Sequence, residues 1–350
     1  MGPNRRAPYG PEIAPVIIIM EHRPIMRFTV IIVTYNRSGL IERALDSIAA
    51  QTLAPAEIIV VDDASTDDTA DVVARWSTRN AAPVTFIAAE RNGGEGVVRN
   101  IGMKAASTPL IAFLDSDDEF RPDAMERLIA PLIADPSLVV SFADAFVMPE
   151  PGPGLPPRLV ESRLARDVET SPMEGAPDGS GWHRLNDPQS TLLLVSMIPS
   201  CSAMFRRDAA EAVGWFPEYR RAGDWLFWLK LTDRGGFSCQ FFDAANVYRQ
   251  GDNLTSAGTD ALWAQQMLHV YLGLRDGSIP LALTPANRSR LDSAIDEKVG
   301  HYRYWFSRKG WRAYWQALGQ EEARATGSRL AHLLRDPKSA ARALYSSLRS

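Results

Sequence analysis

From Arg27 to about Val147 the chain alternates β-branched apolar runs with amphipathic stretches. Phe28-Thr-Val-Ile-Ile-Val33 is apolar at nearly every position, the pattern of a strand covered on both faces. Ile41, Ala44, Leu45 and Ile48 then recur at helical spacing, with Ser38 positioned to cap that helix. Ile58-Ile-Val-Val61 reads as a second strand, with a helix opening near Asp67. Val84-Thr-Phe-Ile87 reads as a third, followed by a helix over 96–106, and Leu110-Ile-Ala-Phe-Leu114 as a fourth that runs straight into Asp115. Strand–helix–strand alternation with short links predicts an α/β fold on a mostly parallel sheet, with right-handed crossovers and flanking helices.

Near Pro149 the pattern breaks. Five prolines fall between Pro149 and Pro157, and irregular polar sequence continues to about Gln189, as expected of a long insertion rather than a linker, because sheet-like sequence resumes beyond it. Ser202 to Val213, Asp224 to Leu231 and Phe237 to Val247 read in turn as strand, helix and strand, and from about Thr259 onward the sequence looks helical.

Composition adds bounds. A hydrophobic fraction of 45% and a charged fraction of 23% are ordinary for a globular protein, and a net charge of −4 over 350 residues implies no attraction to nucleic acid. Cys201 and Cys239 are too few for a disulfide framework and fit no metal spacing, which suggests a reducing cytoplasm. The apolar run Val16–Met20 is far short of the roughly 20 residues that cross a bilayer, and no cleavage signal follows it. Any membrane contact is therefore expected to be peripheral, at the inner face.

Polar residues gather where the predicted strands end. The first strand ends in Thr34-Tyr35-Asn36, the second in Asp62-Asp63-Ala64-Ser65, and the fourth in Asp115-Ser116-Asp117-Asp118. Each cluster alone is compatible with strand-ending turn chemistry. Three together point to one site, because ligands of open α/β sheets bind at the carboxyl ends of the strands. Tyr35 offers a ring on which a nucleobase can lie, and Asp63 can accept a hydrogen bond from a base N–H. Of Asp115 and Asp117, one can hold a divalent cation and the other a ribose hydroxyl or metal-bound water. Mg²⁺ or Mn²⁺ suits such oxygen ligands.

The ordered set Thr34-Tyr35-Asn36, Asp62-Asp63-Ala64-Ser65-Thr66-Asp67, Asn92-Gly93-Gly94 with Arg99-Asn100-Ile101-Gly102, and Asp115-Ser116-Asp117-Asp118 resembles glycosyltransferase family 2. The resemblance covers roughly 27–255 and implies a GT-A fold, a nucleotide-sugar donor, a divalent metal and inversion at the anomeric carbon. It assigns Tyr35 and Asp63 to the base, with Thr34 and Asn36 beside them, and Asp115 to the ribose side with Ser116 next to it. Asp117 becomes the metal ligand, joined by Asp115, while Asp118 serves the loop or caps the helix after Pro122. Arg99 and Asn100 match residues near the donor, although Gly93, Gly94 and Gly102 are equally compatible with a tight turn and close helix packing.

The segment Phe205-Arg206-Arg207, Val213-Gly214-Trp215-Phe216 and Gly223-Asp224-Trp225 resembles the acceptor side of that family, where an acidic residue, an aspartate and a tryptophan open a helix. The resemblance makes Asp224 the catalytic base, with Trp225 and Arg249 on the acceptor side. An aspartate in the first turn is also a routine cap. Two departures stand out: Gly223 replaces the usual acidic residue, and Tyr248-Arg249-Gln250-Gly251-Asp252 is not followed by the family's histidine. The domains expected are thus an N-terminal extension (1–26), a catalytic domain (27–255) and a helical C-terminal region (256–350). Within the catalytic domain, 27–147 is the donor half, 149–196 an insertion and 197–255 the acceptor half.

Residues 298–350 contain eleven Lys/Arg and three Asp/Glu, interleaved with Tyr302, Tyr304, Trp305, Phe306, Trp311, Tyr314 and Trp315. This is either a helical subdomain whose rings pack inward or a peripheral foot on anionic membrane. The function expected is transfer of a sugar, UDP-linked by preference, to a glycan or other hydroxyl acceptor. The alternatives are a catalytically silent nucleotide-sugar binder on the same scaffold and a nucleotidyltransferase.

Overall fold

The structure, a computed structural model, describes residues 26–148, 168–174, 181–219, 222–248 and 260–348. Ten strands form one mixed sheet: β1 (Phe28–Thr34), β2 (Glu57–Asp62), β3 (Thr85–Ala88), β4 (Leu110–Asp115), β5 (Glu119–Phe120), β6 (Leu138–Met148), β7 (Thr170–Pro172), β8 (His183–Leu185), β9 (Ala203–Arg206) and β10 (Gly236–Tyr248). Their order is β3-β2-β1-β4-β9-β6-β10-β8-β7, with β5 paired to β10. The first four of these neighbours are parallel, β9 runs antiparallel between β4 and β6, and β6 and β10 are again parallel.

Helices α1 (Ile41–Ala49), α2 (Thr69–Asn80), α3 (Glu95–Ala105) and α4 (Ala124–Ala134) follow the first strands, the first three of them where the sequence predicts a helix. Helix α1 is not capped by Ser38. It starts at Ile41, three residues beyond Ser38, and the Ser38 N–H instead donates to Asp67 Oδ2 at 3.0 Å. In place of the single strand expected over Ser202–Val213, the four-residue β9 gives way to helix α6 (Arg207–Ala212). The stretch expected to be irregular contributes β7 and β8 to the sheet edge, then helix α5 (Pro188–Leu194), capped by Asp187 through the Ser190 N–H at 2.8 Å. Helix α7 (Gly223–Leu231) follows α6.

Alternation along β1 and β4 explains why both read as continuous apolar runs. Val30, Ile32, Leu110, Ala112 and Leu114 face a core with Leu45 and Trp76, while Ile31, Val33, Ile111 and Phe113 face a second core with Val98, Phe205 and Phe227. Helix α3 lies close enough to β1 that a Cβ at Gly102 would stand 2.6 Å from Ile31 Cγ2, so the glycine is needed for contact.

Beyond β10 the described chain is helical: α8 (Asp260–Asp276), α9 (Pro285–Ser307), α10 (Trp311–Ala317), α11 (Glu321–Arg324), α12 (Arg329–Arg335) and α13 (Pro337–Ser347). Of its aromatics, Tyr302 and Tyr314 are buried and the Tyr302 hydroxyl donates to Ala317 O at 2.9 Å, whereas Tyr304 and Trp315 are exposed, the latter stacked on Trp311. Among the described residues no helix is long and apolar enough to cross a membrane, and Cys201 and Cys239 are free and buried.

Candidate active site

Register brings the polar clusters to one edge. Thr34 pairs with Asp62, Val33 with Asp115, and Asp62 with Ala88, so the carboxyl ends of β1, β2, β3 and β4 are level. The loops after β1 and β2 are bound to each other. Asp63 N–H donates to Thr34 O at 2.8 Å, Asn36 N–H to Ser65 Oγ at 2.8 Å, and Thr66 N–H to Asn36 Oδ1 at 2.8 Å. Asn36 and Ala64 have positive φ (51° and 61°), which turns each loop away from its strand. Against the opposing pull of its partial burial, Asp67 is held down to about 2 by hydrogen bonds from Thr69 and Ser38. Asn36 therefore serves mainly to join the two loops.

Tyr35 projects from this junction with 45% of its surface exposed, while neighbouring Thr34 is buried with an Oγ1 that has no hydrogen-bond partner among the described residues. Asp63 is buried, and its two oxygens accept from Gly93 N–H at 2.7 Å and Gly94 N–H at 2.9 Å. It thus fixes the glycine turn, in which Gly94 adopts φ +85°, and each oxygen keeps a further lone pair. Both readings of the glycines therefore meet here: the turn is tight, and it borders the site.

Arg99 is the hub of the second cluster. It is fully buried on α3, its guanidinium 4.9 Å from the Phe113 and Phe216 rings, and it pairs with Glu95 and, at 3.1 Å, with Asp115 Oδ1. Its Nε and Nη1 have no partner among the described residues. Asn100, beside it, is taken up structurally: its amide exchanges hydrogen bonds of 2.8 and 3.0 Å with the Phe216 backbone. That bridge draws α3 to the segment leading into α7, and a Cβ on Gly96 or on Gly223 would each stand 2.9 Å from Pro217 O. Gly223 is therefore at a position too tight for the acidic side chain that the resemblance expects there.

The close approach sets Asp224 near Arg99, Asp115 and Glu95. Burial raises the pKa of Asp224, opposed by the Trp225 N–H that donates to it at 2.7 Å and by the Arg99 charge. The N-cap of α7 is Ala222, which makes no side-chain cap, and Asp224 lies inside the first turn. Glu95, 37% exposed but hemmed in by protein, is pushed up to about 7 by burial, with Asp115, Asp224 and Asp117 adding to the rise against the pull of Arg99. Glu95 was not singled out in the sequence. Its one signal was the four-residue spacing to Arg99 on a predicted helix.

At the end of β4, Ser116 is buried and Asp117 half-buried, and the Asp117 carbonyl accepts from Arg43. Arg43 also pairs with Glu119 at 3.4 Å and lies over the Tyr248 ring at 3.7 Å, so α1, β4 and β10 meet here. Asp118 serves this junction rather than capping a helix. It is buried, accepts from Tyr248 N–H at 3.0 Å, and is pushed up to about 8 by burial and then by the Asp115 charge.

Trp225 does not fit the acceptor-side role. It is 2% exposed, donates to Leu192 O at 2.6 Å and stacks on Tyr271 at 4.9 Å. Consecutive helical residues point about 100° apart, so the turn that aims Asp224 at the cleft aims Trp225 into the core. Arg249, with Gln250 and Asp252, lies outside the described residues. A separate hollow of about 530 Å³ beside Asn92, Gly93 and Val97 contains none of the clustered carboxylates.

A level row of parallel strand ends carrying an exposed ring, a buried aspartate and a knot of carboxylates around one arginine is an α/β arrangement of the GT-A type. The family model for glycosyl transferase family 2 matches residues 29–214, just over half the chain, and the chain belongs to that family. Over 101 residues it is 43% identical to the succinoglycan biosynthesis protein ExoO of Rhizobium meliloti, a match covering 29% of this chain and 28% of that one. The chain thus spans less than a third of that relative's length. Among solved structures, residues 1–349 of S. aureus TarS, in complex with UDP-GlcNAc, share the fold with a TM-score of 0.61 and 21% identity, covering 92% of this chain and 89% of that one. The mannosyltransferase PcManGT of Pyrobaculum calidifontis, in complex with GDP-Man and Mn²⁺, matches with a TM-score of 0.57 and 20% identity, covering 90% and 79%.

Proposed function

We propose that the protein is an inverting, metal-dependent glycosyltransferase. It moves a sugar from a nucleoside-diphosphate donor, UDP-linked by preference, to an acceptor hydroxyl in the synthesis of a polysaccharide or other surface glycan. The observation that carries this reading is the gathering of Glu95, Asp115, Asp117 and Asp224 around Arg99 at the strand ends that also bear Tyr35 and Asp63. The family match and the nucleotide-sugar complexes of the two structural neighbours support it.

The Tyr35 ring gives the base a stacking face, the remaining lone pairs of Asp63 suit an imide N–H, and the unpaired Thr34 hydroxyl suits a base or ribose oxygen. Asp115 suits the ribose, and the free N–H groups of Arg99 suit an oxygen of the sugar or diphosphate. Four carboxylates against one guanidinium leave an excess of negative charge in oxygen ligands, which fits Mn²⁺ or Mg²⁺ on Asp117 and Asp115. Among the described residues no three His, Cys, Asp or Glu side chains form a metal-holding cluster, so a cation on Asp117 and Asp115 would take its remaining ligands from the donor diphosphate and water. Bound there, the cation would neutralise charge on the departing diphosphate. Asp224, its basicity raised by burial, accepts the proton of the acceptor hydroxyl as that oxygen attacks the anomeric carbon.

The test compares donor hydrolysis and transfer by the parent, Asp224→Asn and Asp117→Ala, with Mn²⁺ or with EDTA, and follows the product anomer by NMR. Activity is expected only in the parent with metal, with inverted product. Three equally inert proteins that still bind nucleotide would mean a silent binder, and pyrophosphate release from a nucleoside triphosphate would mean a nucleotidyltransferase. A retained anomer would overturn inversion.

A further inference from the structure

Helices α12 and α13 turn most of their leucines outward, with Leu333 alone packed against Tyr314, Leu318 and Ala343. Leu330 and Leu334 lie four apart on α12, and Leu344, Tyr345 and Leu348 lie along α13 and its C-terminus; all five are between 52% and 85% exposed. The inward face of α13 offers only Ser339 and Ala343. A helix of a globular protein normally buries its large apolar residues and exposes its small polar ones, so this pattern is inverted.

Charge rims the same surface. Between Ala325 and Leu348 the chain carries Arg329, Arg335, Lys338 and Arg342 against Asp336 alone. Asp336 is already taken up: it accepts from Ser339 N–H at 3.0 Å, pairs with Arg303 at 3.6 Å, and these partners hold its pKa down despite partial burial. Arg329 lies over the Trp315 ring at 4.9 Å and Arg342 over Tyr304 at 4.5 Å, and both rings are partly exposed at the edge of the patch. Rings and long cationic side chains of this kind combine an apolar body with a polar tip. The exposed side chains of α12 and α13 thus alternate leucines with cations, and neither helix contains a carboxylate.

We infer that α12 and α13 form a docking surface for an anionic lipid bilayer, with Leu330, Leu334, Leu344 and Leu348 entering the acyl boundary and Arg329, Arg335 and Lys338 meeting the headgroups. Charge complementarity selects this occupant, because a second copy of the chain would bring the same cations face to face. Of the aromatics that the sequence brings forward in this region, Tyr302 and Tyr314 are buried, and Tyr304 and Trp315 lie under arginines. The insertion falls instead to leucines that follow them in the chain.

The inference is independent of the donor-site reading, since its test needs no donor. The full chain is sedimented with vesicles of phosphatidylcholine alone or mixed with phosphatidylglycerol, at low and high salt, alongside Leu334→Glu/Leu344→Glu and Arg335→Glu/Lys338→Glu. Thermal melting confirms that each variant is folded, and light scattering gives its mass. The parent should partition onto the anionic vesicles alone, less so at high salt, and each double variant should lose about tenfold or more with an unchanged melting temperature. No binding by the parent, equal binding to neutral vesicles, or equal binding by the folded leucine variant would overturn the inference. So would a parent dimer that the leucine variant splits, which would make the surface a contact between copies.

Discussion

Replacing Glu95 by Gln removes one negative charge from the knot around Arg99 while keeping its shape and an oxygen that can still accept from the guanidinium. Burial and three neighbouring carboxylates raise Glu95 from 4.5 to about 7, so in the folded protein its ionised form is disfavoured. For an acid with a raised folded pKa, the associated stability is fully present below about 4.5 and is lost as pH climbs through about 7. Unscreened, a shift of that size corresponds to about 3 kcal/mol. With 37% of the side chain exposed, water screening reduces the expected effect to about 1 kcal/mol. Glu95→Gln should therefore melt about 2 °C above the parent at pH 8 in EDTA, and at the same temperature as the parent near pH 4.5. Melting curves across that range decide it. A Gln variant less stable than the parent at pH 8, or a difference independent of pH, would mean that the Arg99 pair outweighs the crowding and that the site is not overcharged.

The same logic applies to Asp118, raised to about 8, so the parent in EDTA should lose stability from pH 5 to pH 8, and Asp118→Asn should flatten that slope in the melting profile. Asp224→Asn should reduce transfer by about 10²- to 10⁴-fold at saturating donor with nucleotide affinity unchanged, as read by steady-state kinetics and calorimetry; a loss below about tenfold would remove the base role. Tyr35→Ala should weaken nucleoside diphosphate binding by about tenfold in calorimetry while leaving the melting temperature of the free protein in place, since its ring is largely exposed. Gly102→Ala should cost about 1–3 kcal/mol in denaturant unfolding, because its Cβ would meet Ile31 at 2.6 Å; no loss would mean that α3 can withdraw from β1.

The central strands were legible because a strand buried on both faces must be apolar throughout, as β1 and β4 are. Strand β9 was hidden by its four-residue length and by the helix that follows it directly, and β7 and β8, at three residues each, are too short to show a period. Within the site, residues at strand ends could be read from strand positions alone. Glu95 could not, since what distinguishes it from a surface i,i+4 partner is the approach of Asp224, set by the Asn100–Phe216 bridge and two glycines distant in sequence. Trp225 was assigned by its adjacency to Asp224, and helical geometry separates such neighbours.

The placement of β9 also constrains how the molecule is made. Among the described residues it alone joins β4 to β6 in the sheet, yet it lies about ninety residues downstream of β4 in the sequence. During synthesis the β1–β4 unit can collapse early from local crossovers, but its β4 edge stays unpaired until Ala203–Arg206 has left the ribosome. That edge is apolar and ends in Asp115, so the strand end that carries the site is also the flank most open to mispairing while the chain is incomplete.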